Sequence, residues 1–258
     1  MTVLTTRKHH LAPKLKVVVA GGASGIGKAQ AQLFLAQGHD VLVVDCQSAT
    51  WWLTAQQQYS QAFASIIGDI SEQSTSEKVL QWINTHWQAV DVLCNTAGIL
   101  DDFTTLEDLT FEQWQRILSV NVTGMMLMTQ TLLPLLLQQP AARVINMASI
   151  ASLTAGGGGI AYTTAKHAVA GFTKQLAYDY AQTGLRVNAI APGAIQTAMT
   201  ASDFAGEAEM AQWVAEQVPT KRWAQAEEVA QLTLFLASDA ADYMQGNLIP
   251  LDGGWLIR

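Results

Sequence analysis

The chain has 258 residues, half of them hydrophobic and only 14% charged, with a formal net charge of −7. That length suits one α/β domain with a large core, and an acidic balance without a long basic run argues against nucleic-acid binding. Cys46 and Cys94 are too few for a disulfide framework, no apolar leader precedes the first strand, and the longest apolar run, 132–137, is too short to span a membrane.

A cytoplasmic protein is expected from these features. No Cys/His cluster is present and His9-His10 alone is poor support for a metal, so no metal site is expected. Residues 1–13 read as an N-terminal arm carrying the short basic patch Arg7-Lys8-His9-His10, and 14–258 as a single domain.

Residues 16–20 are an apolar strand that runs into Gly21-Gly22-Ala23-Ser24-Gly25-Ile26-Gly27 and then a helix to about 37. Strand, glycine turn and helix together place backbone N–H groups and a helix N-terminus on a pyrophosphate. Gly21 serves the tight turn, Gly25 the close phosphate approach and Gly27 the helix packing. The next strand, 41–44, ends in Asp45, eighteen residues after Gly27. A carboxylate there takes the adenosine ribose hydroxyls and repels a 2′-phosphate; no Arg or Lys adjoins it and Ser24 is not basic, so NAD is expected over NADP.

A helix over 51–59, a strand over 63–67 closed by Asp69, a helix over 77–87 and a strand over 92–94 follow. Asn95-Thr96-Ala97-Gly98 then offers small residues for close backbone approach to a cofactor. Residues 111–139 form one long apolar helical pattern with Asn121 in its middle, the usual setting of a satisfied core amide.

Residues 143–147 read as a buried strand with Ser149 at its carboxyl end, where open α/β sheets put their ligands. After the glycine run 156–159, Tyr162 and Lys166 stand four apart on one helix face. A free tyrosine, with a pKa of about 10, is a poor base near pH 7, and a cation at about 4 Å lowers it by roughly three units. A Tyr-Lys pair can therefore exchange a proton with an alcohol oxygen that the Ser149 hydroxyl holds. This helix should run to about 182, with Gly184 as its cap. A strand over 185–190 breaks at Ala191-Pro192-Gly193. A loop and a short helix over 209–217, a helix over 227–236 and a strand over 248–251 complete a parallel, doubly wound sheet.

In order and spacing these motifs resemble the short-chain dehydrogenase/reductase family over nearly the whole chain. The carrying residues are Gly21-x-x-x-Gly25-Ile26-Gly27, Asn95-Thr-Ala-Gly98, Asn121, Ser149, Tyr162-x-x-x-Lys166, Pro192-Gly193-x-Ile195-x-Thr197 and Asp252-Gly-Gly254. The resemblance implies a Rossmann-type seven-stranded sheet and nicotinamide-dependent hydride transfer. It implies that Tyr162 is the acid/base, that Lys166 lowers its pKa and holds the nicotinamide ribose, and that Ser149 binds the reacting oxygen. Asn121 would hold a water joining Lys166 to solvent, the Ile195 backbone and Thr197 hydroxyl would contact the nicotinamide side, and Asp69 with Ile70 would flank adenine. Family members usually form tetramers through two long helices, here about 111–138 and 161–182. Ala20 replaces a common Thr, and Thr96 a frequent second Asn.

The expected activity is NAD-dependent oxidation of a secondary alcohol or reduction of its ketone. An NADPH-dependent 3-oxoacyl-[acyl-carrier-protein] reductase is the alternative enzyme. Asp45 opposes it, as does the segment 201–218, whose Asp203, Glu207, Glu209 and Glu216 would repel an acidic carrier if it lids the site. Met199, Phe204, Met210 and Trp213 suggest an apolar substrate wall, or ordinary core packing. A non-catalytic NAD-sensing module is the reading of another class, and the intact Ser-Tyr-Lys-Asn set argues against it.

Overall fold

The computed structural model describes residues 14–258; the expected arm, with its basic patch, lies outside them. The strands are β1 (Lys16–Ala20), β2 (Asp40–Asp45), β3 (Phe63–Ile67), β4 (Val92–Asn95), β5 (Arg143–Met147), β6 (Arg186–Pro192), β7 (Ile195–Gln196), β8 (Ala224–Gln225) and β9 (Leu248–Leu251). Seven of them form one parallel sheet in the order β3-β2-β1-β4-β5-β6-β9, and β7 and β8 pair separately. The helices are α1 (Gly25–Ala36), α2 (Thr50–Tyr59), α3 (Gln73–His86), α4 (Phe111–Leu118), α5 (Met125–Leu136), α6 (Ile160–Asp179), α7 (Glu209–Gln217) and α8 (Ala226–Ala237).

The middles of β1 and β2 are apolar at successive positions because both faces of the sheet are covered. Val17, Val19, Val41 and Val43 face one layer, where Phe34 and Leu35 of α1 meet Val229 and Leu236 of α8. Their neighbours Val18, Ala20, Leu42 and Val44 face the other, with Val79 and Ile83 of α3 and Met128, Leu132 and Leu136 of α5. Alternate residues of a strand point to opposite faces, so one run of β-branched residues supplies two cores. The chain lays β1, β2 and β3 outward in one direction, then returns through α3 to β4 on the other side of β1. That reversal opens a crevice at the carboxyl ends of β1 and β4, the place where sheets of this kind bind ligands.

The long helical pattern over 111–139 is not one regular α-helix. A π-helical turn, Ser119–Gly124, interrupts it between α4 and α5. Gly124 there faces Ile70, and a Cβ on Gly124 would lie 2.7 Å from the Ile70 side chain. The stretch Phe111–Leu136 is long and apolar enough to cross a membrane, which the 132–137 run alone is not. Its buried Met128, Leu132 and Leu136 are packed against the sheet.

Gly184 is not the cap of α6, which ends at Asp179. Its φ of +85° belongs to the turn into β6, where a Cβ would meet the Pro140 carbonyl oxygen at 2.5 Å. The β7–β8 pair was not expected, since two residues carry no readable period.

Gly21 has φ +87°, and a Cβ on it would lie 2.4 Å from the Ala97 backbone. Gly21→Ala should therefore cost about 2–3 kcal/mol. Thermal unfolding should show this as a Tm lower by roughly 5–10 °C; a change under about 2 °C would contradict the close β1–β4 approach.

Candidate active site

A cleft of about 990 Å³ runs along the carboxyl ends of the central strands. Its first half is built by the turn between β1 and α1. The Gly21 N–H donates to the Val44 carbonyl at 2.7 Å, tying the turn to β2. Gly25 has φ +50°, and a Cβ there would come within 3.3 Å of Thr197. Ser24, the N-cap of α1, gives no side-chain hydrogen bond to the first turn, and that turn holds no acidic residue. The first N–H groups of α1 are thus left free of side-chain partners, as a phosphate requires.

Asp45 closes β2 at the cleft wall, where its carboxylate accepts from the N–H groups of Ala23 at 2.9 Å and Gln47 at 3.1 Å. Asp69 and Ile70 line the same end. Partial burial works against the Asp69 carboxylate, but the Ser71 N–H and hydroxyl and the Arg116 guanidinium together hold its pKa below the ordinary value. Arg116 Nη1 lies 3.0 Å from Asp69 Oδ2. A glycine-rich turn, an open helix N-terminus and a fixed carboxylate at the next strand end suit a dinucleotide.

The second half of the cleft gathers Gly98, Ser149, Tyr162, Lys166, Pro192, Gly193, Ile195 and Thr197. Ser149 follows β5, its Oγ accepting from the Ala151 N–H at 3.1 Å. Tyr162 and Lys166 share one face of α6, with Lys166 Nζ 5.5 Å from the phenol ring centre. Lys166 Nζ donates to the Met147 carbonyl at 2.8 Å.

Burial pushes the Lys166 ammonium down to about 8. The expected fall in the Tyr162 pKa is reversed. Burial pushes the phenol up to about 12, opposed by a hydrogen bond from Ser149 and reinforced by the charge of Asp101. Desolvation of the phenolate is the largest of these effects, and the Lys166 ammonium is directed at Met147.

Two expected site residues do not line the cleft. Asn95 turns its amide into the core, donating to Thr129 Oγ1 and Asn146 Oδ1, both at 2.9 Å. Asn121 sits in the π turn and grips Ile99, accepting from its N–H at 2.9 Å and donating to its carbonyl at 2.8 Å. It is still close to the reaction end. A Cβ on Gly98 would lie 2.7 Å from Asn121 Oδ1 and 3.5 Å from Lys166 Nζ, so only glycine fits between them. Thr96, in place of a frequent Asn, donates its hydroxyl to Gln30 Oε1 at 2.6 Å. Of the four residues expected on an apolar wall, Met199, Met210 and Trp213 line the cleft. Phe204 instead packs on Trp223, with ring centres 4.9 Å apart.

A family model described as Enoyl-(Acyl carrier protein) reductase matches residues 21–256, with the glycine turn, Ser149, Tyr162 and Lys166 all inside the match. The chain belongs to the short-chain dehydrogenase/reductase family. It is 34% identical to the 2-dehydro-3-deoxy-D-gluconate 5-dehydrogenase of Bacillus subtilis (strain 168), covering 93% of this chain and 94% of that one. It is 36% identical to a 3-oxoacyl-[acyl-carrier-protein] reductase of Synechocystis, covering 93% and 96%. A solved structure of a putative NAD(P)-dependent gluconate 5-dehydrogenase from Beutenbergia cavernae, with NADP bound at low occupancy, superposes with a TM-score of 0.87. It is 31% identical, and the match covers 96% of this chain and 99% of that one. This short-chain dehydrogenase/reductase is an oxidoreductase of alcohol and ketone substrates that uses a nicotinamide cofactor.

Sequence reading missed Asp101. From the loop after β4, its Oδ1 accepts from the Gly159 N–H at 2.7 Å and its Oδ2 from the Tyr162 N–H at 2.9 Å. The carboxylate thus caps α6 at the turn that carries Tyr162. No fixed spacing signals this, because the loop meets the helix only in three dimensions. Asp101→Asn exchanges an acceptor for a donor and should cost about 1 kcal/mol of stability. It also removes a negative charge that raises the Tyr162 pKa. The phenolate then forms at lower pH, so the acid limb of kcat/KM for alcohol oxidation should move down. A pH–rate profile with an unmoved or raised limb would refute the electrostatic role of Asp101.

Proposed function

We propose that this enzyme oxidises a secondary alcohol, or reduces the corresponding ketone, with NAD as its cofactor. The observation that carries the reading is the meeting of Tyr162, Ser149 and Lys166 in one cleft that ends, on its other side, at Asp45. The bound nicotinamide supplies the hydride chemistry, and the chain supplies binding, orientation and proton transfer.

Gly21, Ser24, Gly25, Ile26 and Gly27 hold the pyrophosphate, Asp45 the adenosine ribose, and Asp69 with Ile70 the adenine edge. Ala97, Gly98, Pro192, Gly193, Ile195 and Thr197 flank the nicotinamide half, and Lys166 holds its ribose. The Ser149 hydroxyl binds the substrate oxygen and Tyr162 exchanges the hydroxyl proton with it. Asn121 acts by holding the Ile99 backbone, and with it the adjoining Gly98 near Lys166, and Asn95 by bracing the end of β4. The preference for NAD rests on the Asp45 carboxylate; Arg116, which lines the cleft at that end, is paired with Asp69. We assign the chain to the cytoplasm, as a homotetramer formed through the faces of α4–α5 and α6. Within it 14–258 is the catalytic domain.

The similarity to an acyl-carrier-protein reductase keeps one rival in view. Asp203 and its neighbours on the segment over the cleft disfavour an acidic carrier, and Asp45 disfavours NADPH.

Coupled assays with NAD(H) and NADP(H) over secondary alcohols and ketones test the reading, with Tyr162→Phe beside the parent. NAD-linked turnover should exceed NADP-linked turnover, and the variant should lose at least about 100-fold in kcat while binding NAD nearly as well. Equal activity in the variant would remove Tyr162 from the chemistry, and a preference for NADPH with 3-oxoacyl thioesters would favour the rival.

A further inference from the structure

Beyond Tyr162 the cleft continues to a wall made by α7, the segment before it and the C-terminal turn. Met199, Met210 and Trp213 line it and remain 46%, 54% and 54% exposed. Large apolar side chains held open around a cleft mark a ligand surface rather than a core. Trp223 and Trp255 add two more rings. The Trp223 indole N–H is already engaged, donating to the Ala211 carbonyl at 2.8 Å, so what it offers a ligand is apolar. Gly156 and Gly157 line the cleft without side chains.

Charge is distributed as unevenly as bulk. Among the described residues, the cations that line the cleft are Lys166 and Arg116. Lys166 is directed at Met147, and Arg116 stands at the Asp69 end. After Arg186 the chain has three basic residues, Lys221, Arg222 and Arg258, and none of them lines the cleft. Lys221 donates to the Glu216 carbonyl at 2.6 Å, Arg222 grips both oxygens of Glu228 at 2.7 and 2.8 Å, and Arg258 stacks 3.6 Å over Trp255. Among the described residues, the one charged residue lining this wall is Asp203. An anionic group bound here would lose hydration beside a carboxylate and gain no cation.

The geometry points to an uncharged, predominantly apolar secondary alcohol or ketone, with at least the bulk of a ring, as the substrate class of this site. The inference rests on the reading of Tyr162 and Ser149 as the reaction centre. It selects among substrates that the same reaction centre would accept.

Size-matched probes test it: 2-decalone, a decalone bearing a ring carboxylate, and 2-butanone. For each, kcat/KM with NADH is measured together with Kd from quenching of tryptophan fluorescence in the presence of cofactor. The neutral bicyclic ketone should be favoured over the carboxylate by about 100-fold in both quantities, and over 2-butanone by about tenfold. Met199→Arg, at an exposed position, should shrink the neutral-to-anionic ratio by at least about tenfold. Neutral binding without turnover would sink the catalytic reading and uphold the ligand class. A carboxylate bound or reduced as well as its neutral partner, a ratio unmoved in Met199→Arg, or no binding of 2-decalone would overturn the substrate class while leaving Tyr162 chemistry to be judged on the other probes.

Discussion

An ammonium buried between β5 and α6 is the constraint on which the site depends. Lys166 is 4% exposed, forms no ion pair among the described residues, and gives its hydrogen bond to the Met147 carbonyl. The cost is visible in its pKa, pushed by burial from 10.5 to about 8, which corresponds to about 3 kcal/mol. Because the folded pKa is the lower one, the penalty is fully present below about pH 8 and relaxes as pH rises towards the unfolded value. The contact also fixes α6 against the end of β5. Ser152 strengthens the same junction by donating its hydroxyl to the Lys166 carbonyl at 2.7 Å.

Tyr162 is held at the same junction under an opposing bias. Burial and Asp101 favour the neutral phenol, and Ser149 favours the ionised form. Asp101 meanwhile accepts two backbone N–H groups at the start of α6, so the carboxylate that orients the helix also disfavours ionisation of its tyrosine. Orientation and proton affinity are thereby linked through one side chain. The π turn does comparable work on the other flank: it carries Asn121 to Ile99 and seats Gly124 against Ile70. One irregular helix therefore reaches both the Lys166 end and the Asp69 end of the cleft.

The sheet was legible because β1, β2 and β5 are short apolar runs ended by glycine or polar residues, and burial on both faces leaves no alternation to misread. The glycine turn, Asp45, Ser149, Tyr162 and Lys166 were legible because each lies at a strand end or at a helical spacing. What was not legible depends on contacts between distant segments. Asn95 looks like a cleft residue by position, yet Thr129 and Asn146 claim its amide. The π turn is invisible to a 3.6-residue period, since one extra residue in a turn leaves the apolar composition unchanged. The direction of the Tyr162 shift is not legible, because spacing reveals a nearby cation and conceals the desolvation that burial brings.

Of the nine residues of α7, only Ala211 is buried. The helix that shapes the far wall of the cleft therefore contributes little to the core, whereas the turn after β1 packs Gly21 and Gly27 so closely against backbone that neither tolerates a Cβ. Mutation is consequently inexpensive along α7 and severe in the glycine turn. A lineage built this way can drift from one alcohol to another by altering a few exposed side chains, while its redox partner stays the same.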